Sequence, residues 1–533
     1  MGLPDAVDLE NSPTTCAPSA RSEAFTGLLY LHPPSPADDT RAGEPSYFHD
    51  LNLDRVVDVM TGGRKEYDLK PYFRLPLHDE EEVEYRQHVF ADLEKAPVAE
   101  EVRAFAERMR AMRKLLRQAD ELHHLYQQKR LFVDATEKYC AAVEALTAGL
   151  DRTDARSRGF RTLRAWLAAY TASDGFTRLV SGAAEVDRAL ADVRYSIRIK
   201  GNRVRVTPYE GEPDYSREVE RTFAKFQQDE SDDHRSAFRG QLDMNHVEAQ
   251  VLDLVAKLNP DAFATLDAYV GEHSAFLDDR IRATDRELQF YLAYLDFIAP
   301  LKSAGLAFCH PRVSTRDKAV RARDAFDLAL ADKLVGDGRT VVTNGFRLTP
   351  PERVIVVTGP NQGGKTTFAR MFGQLHHLAA LGCPVPAAEA ELFLLDRMFT
   401  HFEREEDLRN LRGKLEDELT RIHQVLQQAT GDSVIVMNES FNSTTLHDAL
   451  FIGEAVLRQI IERDLLCVYV TFVDELAALG AATVSMVPTV ESDAPATRTH
   501  HLVRQPADGL AYATAIAEKY RLTYGSLRRR LAP

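Results

Sequence analysis

At 533 residues, with 44% hydrophobic and 28% charged, the chain has the composition of roughly three to four globular domains with ordinary cores. A formal net charge of −15 argues against a protein that coats nucleic acid non-specifically, yet it permits a local basic surface, because phosphate binding depends on where cations cluster. No apolar run approaches the ~20 residues of a membrane span. The opening MGLPDAVDLENSPTTC has neither a basic start nor an apolar core, so it does not read as a secretory signal.

In chain order, residues 1 to 45 are rich in Pro, Ser, Ala and Asp and read as a flexible arm, with apolar Phe25 to Leu31 as the part that docks on the body. From Tyr47 to Ala299 apolar residues recur at three- and four-residue spacing with charges between them, which predicts helix almost throughout. The runs fall at 79–97, 99–127, 133–150, 159–173, 216–228 and 244–298, and Pro300 makes a natural stop. Such helices build an elongated lever or bundle, or alternatively a plain globular helical domain. Periodicity does not separate the two.

One stretch breaks this pattern. Arg194 to Val206, RYSIRIKGNRVRV, alternates polar and apolar around Gly201-Asn202, a two-residue hairpin signal. That turn sets Lys200 opposite Arg203 and Arg198 opposite Arg205, with Tyr195, Ile197, Ile199, Val204 and Val206 on the other face. Two readings stand for these cations. They form a solvated face balanced by Glu210, Glu212 and Asp214, or a tip that contacts phosphates.

From Lys302 short strands alternate with helices to the C-terminus, the pattern of an α/β domain. Val341 to Leu348 is expected to be a strand pair, with further buried strands at Val354–Val357, Ser433–Met437 and Leu465–Thr471. After the first of these, Gly359, Gly364, Lys365 and Thr366 fit G-x-x-x-x-G-K-S/T and open a helical pattern. Strand, loop and helix in that order make a phosphate-binding loop for a nucleoside triphosphate. Glycines let backbone N–H groups curl round the phosphates, Lys365 reaches them, Thr366 offers a hydroxyl to Mg²⁺, and the helix dipole adds positive potential. The strand 433–437 runs into Asn438-Glu439. Glu439 is placed to act as general base. Asn438 stands where an aspartate is expected, and its uncharged amide predicts weaker Mg²⁺ binding. Five cysteines, Cys16, Cys140, Cys309, Cys383 and Cys467, are scattered without CxxC pairs and read as reduced structural residues of a cytoplasmic protein.

Several motifs resemble those of the MutS-type ATPases of DNA mismatch repair. TGPNQGGKTT (358–367) is similar to the family's TGPNMGGKST. Gly382 to Ala390, Leu395 to Thr400, and Met437-Asn-Glu439 with Thr444, Thr445 and Asp448 follow its G-x-x-V-P-A-x-x-A, V-D-R-I-F-T and M-D-E-x-G-R-G-T-S-T-x-D segments. The tract Pro506 to Arg530 looks like its closing dimerisation helices, and Asp50 to Leu53 with Tyr85 to Asp92 looks like the start of its helical core.

The resemblance implies an α-helical core or lever at 46–300, carrying a clamp-like hairpin near 194–206, followed by an α/β P-loop (ABC-type) ATPase domain at 301–533. It implies ATP and Mg²⁺ as cofactors. Gly359, Pro360, Asn361, Gln362, Gly363, Gly364, Lys365, Thr366 and Thr367 would hold the phosphates, Thr366 and Asn438 would serve the metal, and Glu439 would orient water. Arg198, Lys200, Arg203 and Arg205 become candidate DNA contacts.

The departures are Asn438 for Asp, Gly413-Lys414 for the family's Ser-Thr pair, and Phe472 for a His after the third strand. Lys414 is then expected to meet the γ-phosphate across a homodimer, and hydrolysis to be slow. Fewer than 50 residues precede the helical core, so a mismatch-reading domain is not expected. The one Phe-x-Glu, Phe105-Ala-Glu107, reads as a core Phe beside a surface Glu, and Arg528-Arg-Arg530 as a helix-end cation cluster. The reading is a homodimeric ATPase that clamps DNA, without a membrane. Its alternative is a nucleotide-gated scaffold, with little or no hydrolysis, that recruits a protein partner.

Overall fold

The computed structural model of the chain describes residues 25–32, 43–201, 203–212, 244–360, 362–403, 413–491, 494–507 and 528. Most of the N-terminal arm, the run 216–228, Asn202, Asn361 and most of the C-terminal tract therefore lie outside the described residues.

The N-terminal half is helical: α1 (Tyr47–Asp50), α2 (Leu53–Thr61), α3 (Lys70–Arg74), α4 (Glu80–Leu93), α5 (Ala96–Glu121), α6 (Leu125–Arg152), α7 (Arg158–Thr171) and α8 (Asp174–Ala191), then α9 (His246–Leu258), α10 (Pro260–Glu272) and α11 (Asp279–Ser303). Local chemistry sets many of the boundaries. Asp79 accepts the Glu81 N–H at the start of α4, and Ser173 accepts the Phe176 N–H at the start of α8. The expected run 79–97 breaks because Pro97 opens α5, where a missing N–H costs nothing. Pro260 divides the expected run 244–298 in the same way. Pro300, by contrast, does not stop α11. It sits in the last turn, where one lost hydrogen bond matters little, and the helix runs on to Ser303 with Leu301 buried.

α5 and α6 pack as a long hairpin through Val98, Val102, Phe105, Met109 and Met112, spaced to share one face. Phe105 is fully buried and Glu107 is exposed, as their spacing predicts. The apolar stretch near residue 25 docks as expected. Phe25, Leu28, Leu29 and Leu31 are buried, Tyr85, Tyr291 and Arg86 donate to the carbonyls of Gly27, Leu28 and Leu29, and the Leu28 N–H donates to buried Glu287.

β1 (Tyr195–Lys200) and β2 (Arg203–Pro208) form the expected antiparallel hairpin, with Lys200 opposite Arg203 and Arg198 opposite Arg205. Its apolar face leans on α9, where Val206 packs against the cluster of Val255, Ala256 and Phe263, while Ile199 stays 73% exposed.

The C-terminal half carries two sheets among the described residues. One joins β3 (Arg312–Ser314), β4 (Val320–Ala325), β5 (Asn344–Leu348) and β7 (Glu389–Phe393) in the order β3-β7-β4-β5. The other joins β6 (Val354–Val357), β8 (Met398–Phe402), β9 (Val434–Asn438), β10 (Leu466–Val470), β11 (Thr483–Glu491) and β12 (Ala494–Arg504) in the order β12-β11-β6-β10-β9-β8. All of its pairings are parallel except β11 with β12. The expected strand pair at 341–348 is a single strand, β5. Its partner is β4 of the same four-stranded sheet, and Pro350-Pro351 separates it from β6 of the other.

Among the described residues, helices α12 (Leu328–Gly336), α13 (Lys365–Ala380), α14 (Lys414–Gln428) and α15 (Leu446–Glu462) complete this half. Thirteen of the sixteen residues of α13 are buried, and one continuous apolar cluster runs from the helical half through α13 into the sheets. The two halves therefore share a core. Cys140, Cys383 and Cys467 are buried free thiols, and Cys309 is partly buried and also free. Among the described residues no helix is long and apolar enough to cross a membrane.

Candidate functional site

β6 is four β-branched residues, all buried, with β10 and β11 parallel on either side. Fully buried parallel strands read as such apolar runs, and ligands gather at their C-terminal ends. There the chain turns through Gly359 to Gly364 into α13.

Gly364 caps α13 with φ 93°, a left-handed value that glycine adopts without strain, and Gln362 is left-handed as well (φ 63°). A Cβ on Gly363 would lie 2.8 Å from Pro488 of β11, so only glycine lets the loop pass the neighbouring strand. Lys365 is 5% exposed, and its Nζ donates to the Gly359 carbonyl at 2.6 Å, folding back across the loop. Thr366 Oγ1 donates to Oδ1 of Asn438 at 3.0 Å. This bond joins the loop to the end of β9.

Glu439 follows Asn438 with φ 52°, and Phe441 has φ 65°. Two non-glycine residues in left-handed backbone cost about 1–2 kcal/mol each, so the surroundings must hold this turn. They do. The Glu439 N–H donates to Val470 of β10 at 2.9 Å. Glu418 of α14, 2% exposed, accepts the Phe441 N–H at 3.1 Å and the Ser443 hydroxyl at 3.4 Å. Buried His401 of β8 bonds Ser440 Oγ through Nδ1 at 2.7 Å and the Glu418 carbonyl through Nε2 at 3.2 Å. Burial pushes the Glu418 carboxyl above its ordinary value, opposed by the Phe441 N–H and the nearby Lys414 ammonium.

These elements meet at a cavity of about 480 Å³. Gln362, Gly364, Lys365, Thr366, Thr367 and Glu439 line it, together with Leu330 and Leu334 of α12, Arg339, Thr340, Val342, Asn344 and His500. His500 lies beside the loop, its carbonyl 3.5 Å from where a Cβ on Gly364 would sit. The place of this second group at the cavity was not legible in the motif. His500 reaches it because Asn344 bridges β5 to β12, donating to the His500 carbonyl at 3.1 Å and accepting the Leu502 N–H at 2.7 Å. Glu418 did carry a signal: it heads the buried stripe Glu418, Ile422, Leu426, a carboxylate at the first position of an apolar face.

The other candidates fall as follows. Pro360 and Gly363 belong to the loop but do not line the cavity, and Asn361 lies outside the described residues. Lys414 does not line it either, and its ammonium pairs with Glu403 of the same chain. Phe472, 45% exposed, lines a separate cavity of about 980 Å³ that shares no residue with the first. Arg198, Lys200, Arg203 and Arg205 lie together on the hairpin, in the helical half, and Arg198 reaches Glu212 at 3.3 Å.

The donor set fits Mg²⁺, a hard cation that takes oxygen ligands. Thr366 lines the cavity and Asn438 does not, but they hold a hydroxyl and an amide oxygen 3.0 Å apart. Neither is charged, and among the described residues no group of three His, Cys, Asp or Glu is placed to hold a metal alone. A metal here would lean on the phosphates of its nucleotide.

Residues 355–520 match the family model of MutS domain V. The DNA mismatch repair protein MSH3 of Eremothecium gossypii is 33% identical over 130 residues, 24% of this chain and 13% of that protein. The DNA mismatch repair protein MutS of Zymomonas mobilis is 32% identical over 184 residues, 33% of this chain and 21% of that protein. MutS 2 of Halobacterium salinarum is 32% identical over 181 residues, 33% of this chain and 19% of that protein. Over residues 355–520 the chain is MutS-like. The matched stretches span no more than 21% of these relatives' lengths.

The MutS domain V match begins inside β6 and takes in the loop, α13, Glu418, Asn438, Glu439 and His500. Leu330 and Asn344, which also line the cavity, lie before it. So does Asp50 of α1, which ties the helical half to the MutS-like site. Its carboxylate accepts from Thr400 of β8 at 2.6 Å, and its carbonyl accepts from Arg370 of α13 at 2.9 Å. One turn further along α13, Gln374 donates to the Leu51 carbonyl and to Asp327, and accepts the Leu328 N–H. These bonds tie α13 directly to the end of α1 and to the start of α12.

Proposed function

We propose that the chain is a MutS-like ATP-binding dimer that clamps DNA in a role related to mismatch repair and hydrolyses ATP slowly. The observation that carries this reading is the convergence of Lys365, Thr366, Asn438 and Glu439 at the ends of β6 and β9, beside one cavity. Lys365 exchanges the Gly359 carbonyl for phosphate oxygens, the loop N–H groups bind the same phosphates, and Glu439 orients the attacking water. Thr366 and Asn438 place the metal, which supplies positive charge to the phosphates when bound. Lys414 leaves Glu403 for the γ-phosphate of a partner subunit.

Residues 46–300 act as the lever and 301–533 as the ATPase domain, coupled through Asp50 and Gln374. The cationic face of the hairpin contacts the DNA backbone, a role supported by the clustering of Arg198, Lys200, Arg203 and Arg205 in an acidic chain. The relatives' names, all DNA mismatch repair proteins or MutS proteins, support the biological setting.

The test is steady-state ATP hydrolysis by the full chain, with and without duplex and branched DNA, with Lys365→Ala as the blank. Turnover above the blank that rises with DNA is expected. ATP binding without turnover would favour the second reading, a nucleotide-gated scaffold for a protein partner, which the uncharged Asn438 supports.

A further inference from the structure

The turn that carries Glu439 is strained and unusually well held. Glu439 and Phe441 are both left-handed, and in the resembling motif the position of Phe441 is a glycine. Here a fully buried phenylalanine occupies it, packed beside His401 with ring centroids 5.8 Å apart. Strain of this kind persists only where neighbouring groups over-determine the backbone. The group that does so most directly comes from another element. Glu418 reaches from α14 to the Phe441 N–H and the Ser443 hydroxyl, while the carbonyl of the same residue bonds His401, whose other nitrogen bonds Ser440. The three polar anchors on 440, 441 and 443 thus trace back to one residue.

We infer that Glu418 is a positioning residue: its buried carboxylate fixes the turn 439–443, and so the direction of Glu439, and links that turn to Lys414 one helical turn earlier on α14. This rests on the reading of Glu439 as the group that orients water. The link has a physical basis, because residues four apart share one face of a helix. The Lys414 ammonium also acts on the Glu418 carboxyl through its charge, so its departure from Glu403 towards a phosphate would change the field at the carboxylate that holds Phe441 and Ser443. A carboxylate that binds no nucleotide would in this way make water orientation depend on what the N-terminus of α14 touches.

The experiment compares Glu418→Ala, Glu418→Gln and Glu439→Gln in the full chain, reading kcat, KM and nucleotide affinity for ATP. Hydrogen exchange of peptides covering 439–445 and the loop 359–367 is read in parallel. Glu418→Ala is expected to lower kcat about tenfold or more, from the loss of the two hydrogen bonds its carboxylate accepts, with KM and affinity within about threefold. Exchange should rise at 439–445 and stay unchanged at 359–367. Glu418→Gln keeps an acceptor oxygen and should restore both readouts to within about threefold of the parent. Unchanged exchange at 439–445 in Glu418→Ala would overturn the proposal. So would parallel loss of nucleotide affinity and turnover, or a Gln variant as impaired as the Ala one. Unchanged turnover in Glu439→Gln would instead sink the assignment of Glu439, while the exchange measurement still decides whether Glu418 holds the turn.

Discussion

The hydroxyl of Thr366 donates to the amide oxygen of Asn438 over 3.0 Å, so the loop and β9 are joined by two neutral groups at the place suited to a metal. Asn438→Asp keeps the size and adds the missing charge. A charge-assisted contact is roughly twice as strong as a neutral one, so half-saturation by Mg²⁺ should fall by about tenfold and turnover should rise. Asn438 is 8% exposed, and a carboxylate buried there without a cation carries a desolvation cost. The variant should therefore melt lower than the parent in the absence of Mg²⁺ and recover when Mg²⁺ and nucleotide are added. A Mg²⁺ titration of hydrolysis, paired with melts in chelator, checks both. An unchanged Mg²⁺ dependence would remove Asn438 from the metal.

Lys365 donates to the Gly359 carbonyl, a bond that shows it can span the loop. Lys365→Ala should weaken ATP affinity by about two orders of magnitude, since a contact between charged groups contributes about 1.5–3 kcal/mol. Fluorescent-nucleotide titration is the direct check. Affinity within threefold of the parent would refute the site.

The phosphate loop and the Asn438-Glu439 pair are legible in the sequence because each is set by local chain pattern. β6, the loop and α13 are contiguous, and Asn438 and Glu439 end a strand whose apolar run announces it. The hairpin is legible for the same reason, as an alternating pattern about Gly201 fixes its register. The rest of the cavity lining is not. His500 and Leu330 are about 170 residues apart and come together only through the pairing of β12 with β11 and the bridge from Asn344. Glu418 shows the limit of periodicity in another way. Its position on the apolar stripe of α14 marks it as buried, but only tertiary packing reveals that its partners are the N–H and hydroxyl of a strained turn. Pro300 misleads in the opposite sense, because the packing of Ile298 and Leu301 outweighs one missing hydrogen bond.

On the hairpin, Arg198 sits opposite Arg205 and Lys200 opposite Arg203, an arrangement that like-charge repulsion disfavours. Glu212 relieves it at Arg198 alone among the contacts described. Arg198→Glu with Arg205→Glu should weaken binding to duplex DNA and flatten its salt dependence, by about 0.9 in the log–log slope for each phosphate contact removed. Nucleotide affinity should not change, because the hairpin lies in the helical half. Binding isotherms at several salt concentrations distinguish a phosphate-contacting tip from a solvated face, for which neither affinity nor slope would move.

Glu287 offers a test of how the 25–32 segment is held. Its carboxylate accepts from the Leu28 and Leu29 N–H groups in the core of the helical half, and burial pushes it up to about 7, against those bonds and the charges of Arg86 and Arg286. The unfolded chain releases this proton near 4.5. Between the two values the folded state binds more protons than the unfolded one, so this group's contribution to stability falls as pH rises through that window. Above pH 7 the full cost is present, on the order of 3 kcal/mol. Glu287→Gln keeps an acceptor for the Leu28 N–H and does not titrate. Its stability relative to the parent should therefore improve by about 2–3 kcal/mol between pH 5 and pH 8, while the carboxylates common to both proteins cancel. Denaturant midpoints at the two pH values measure this difference. Equal shifts in parent and variant would mean that Glu287 does not carry the proton.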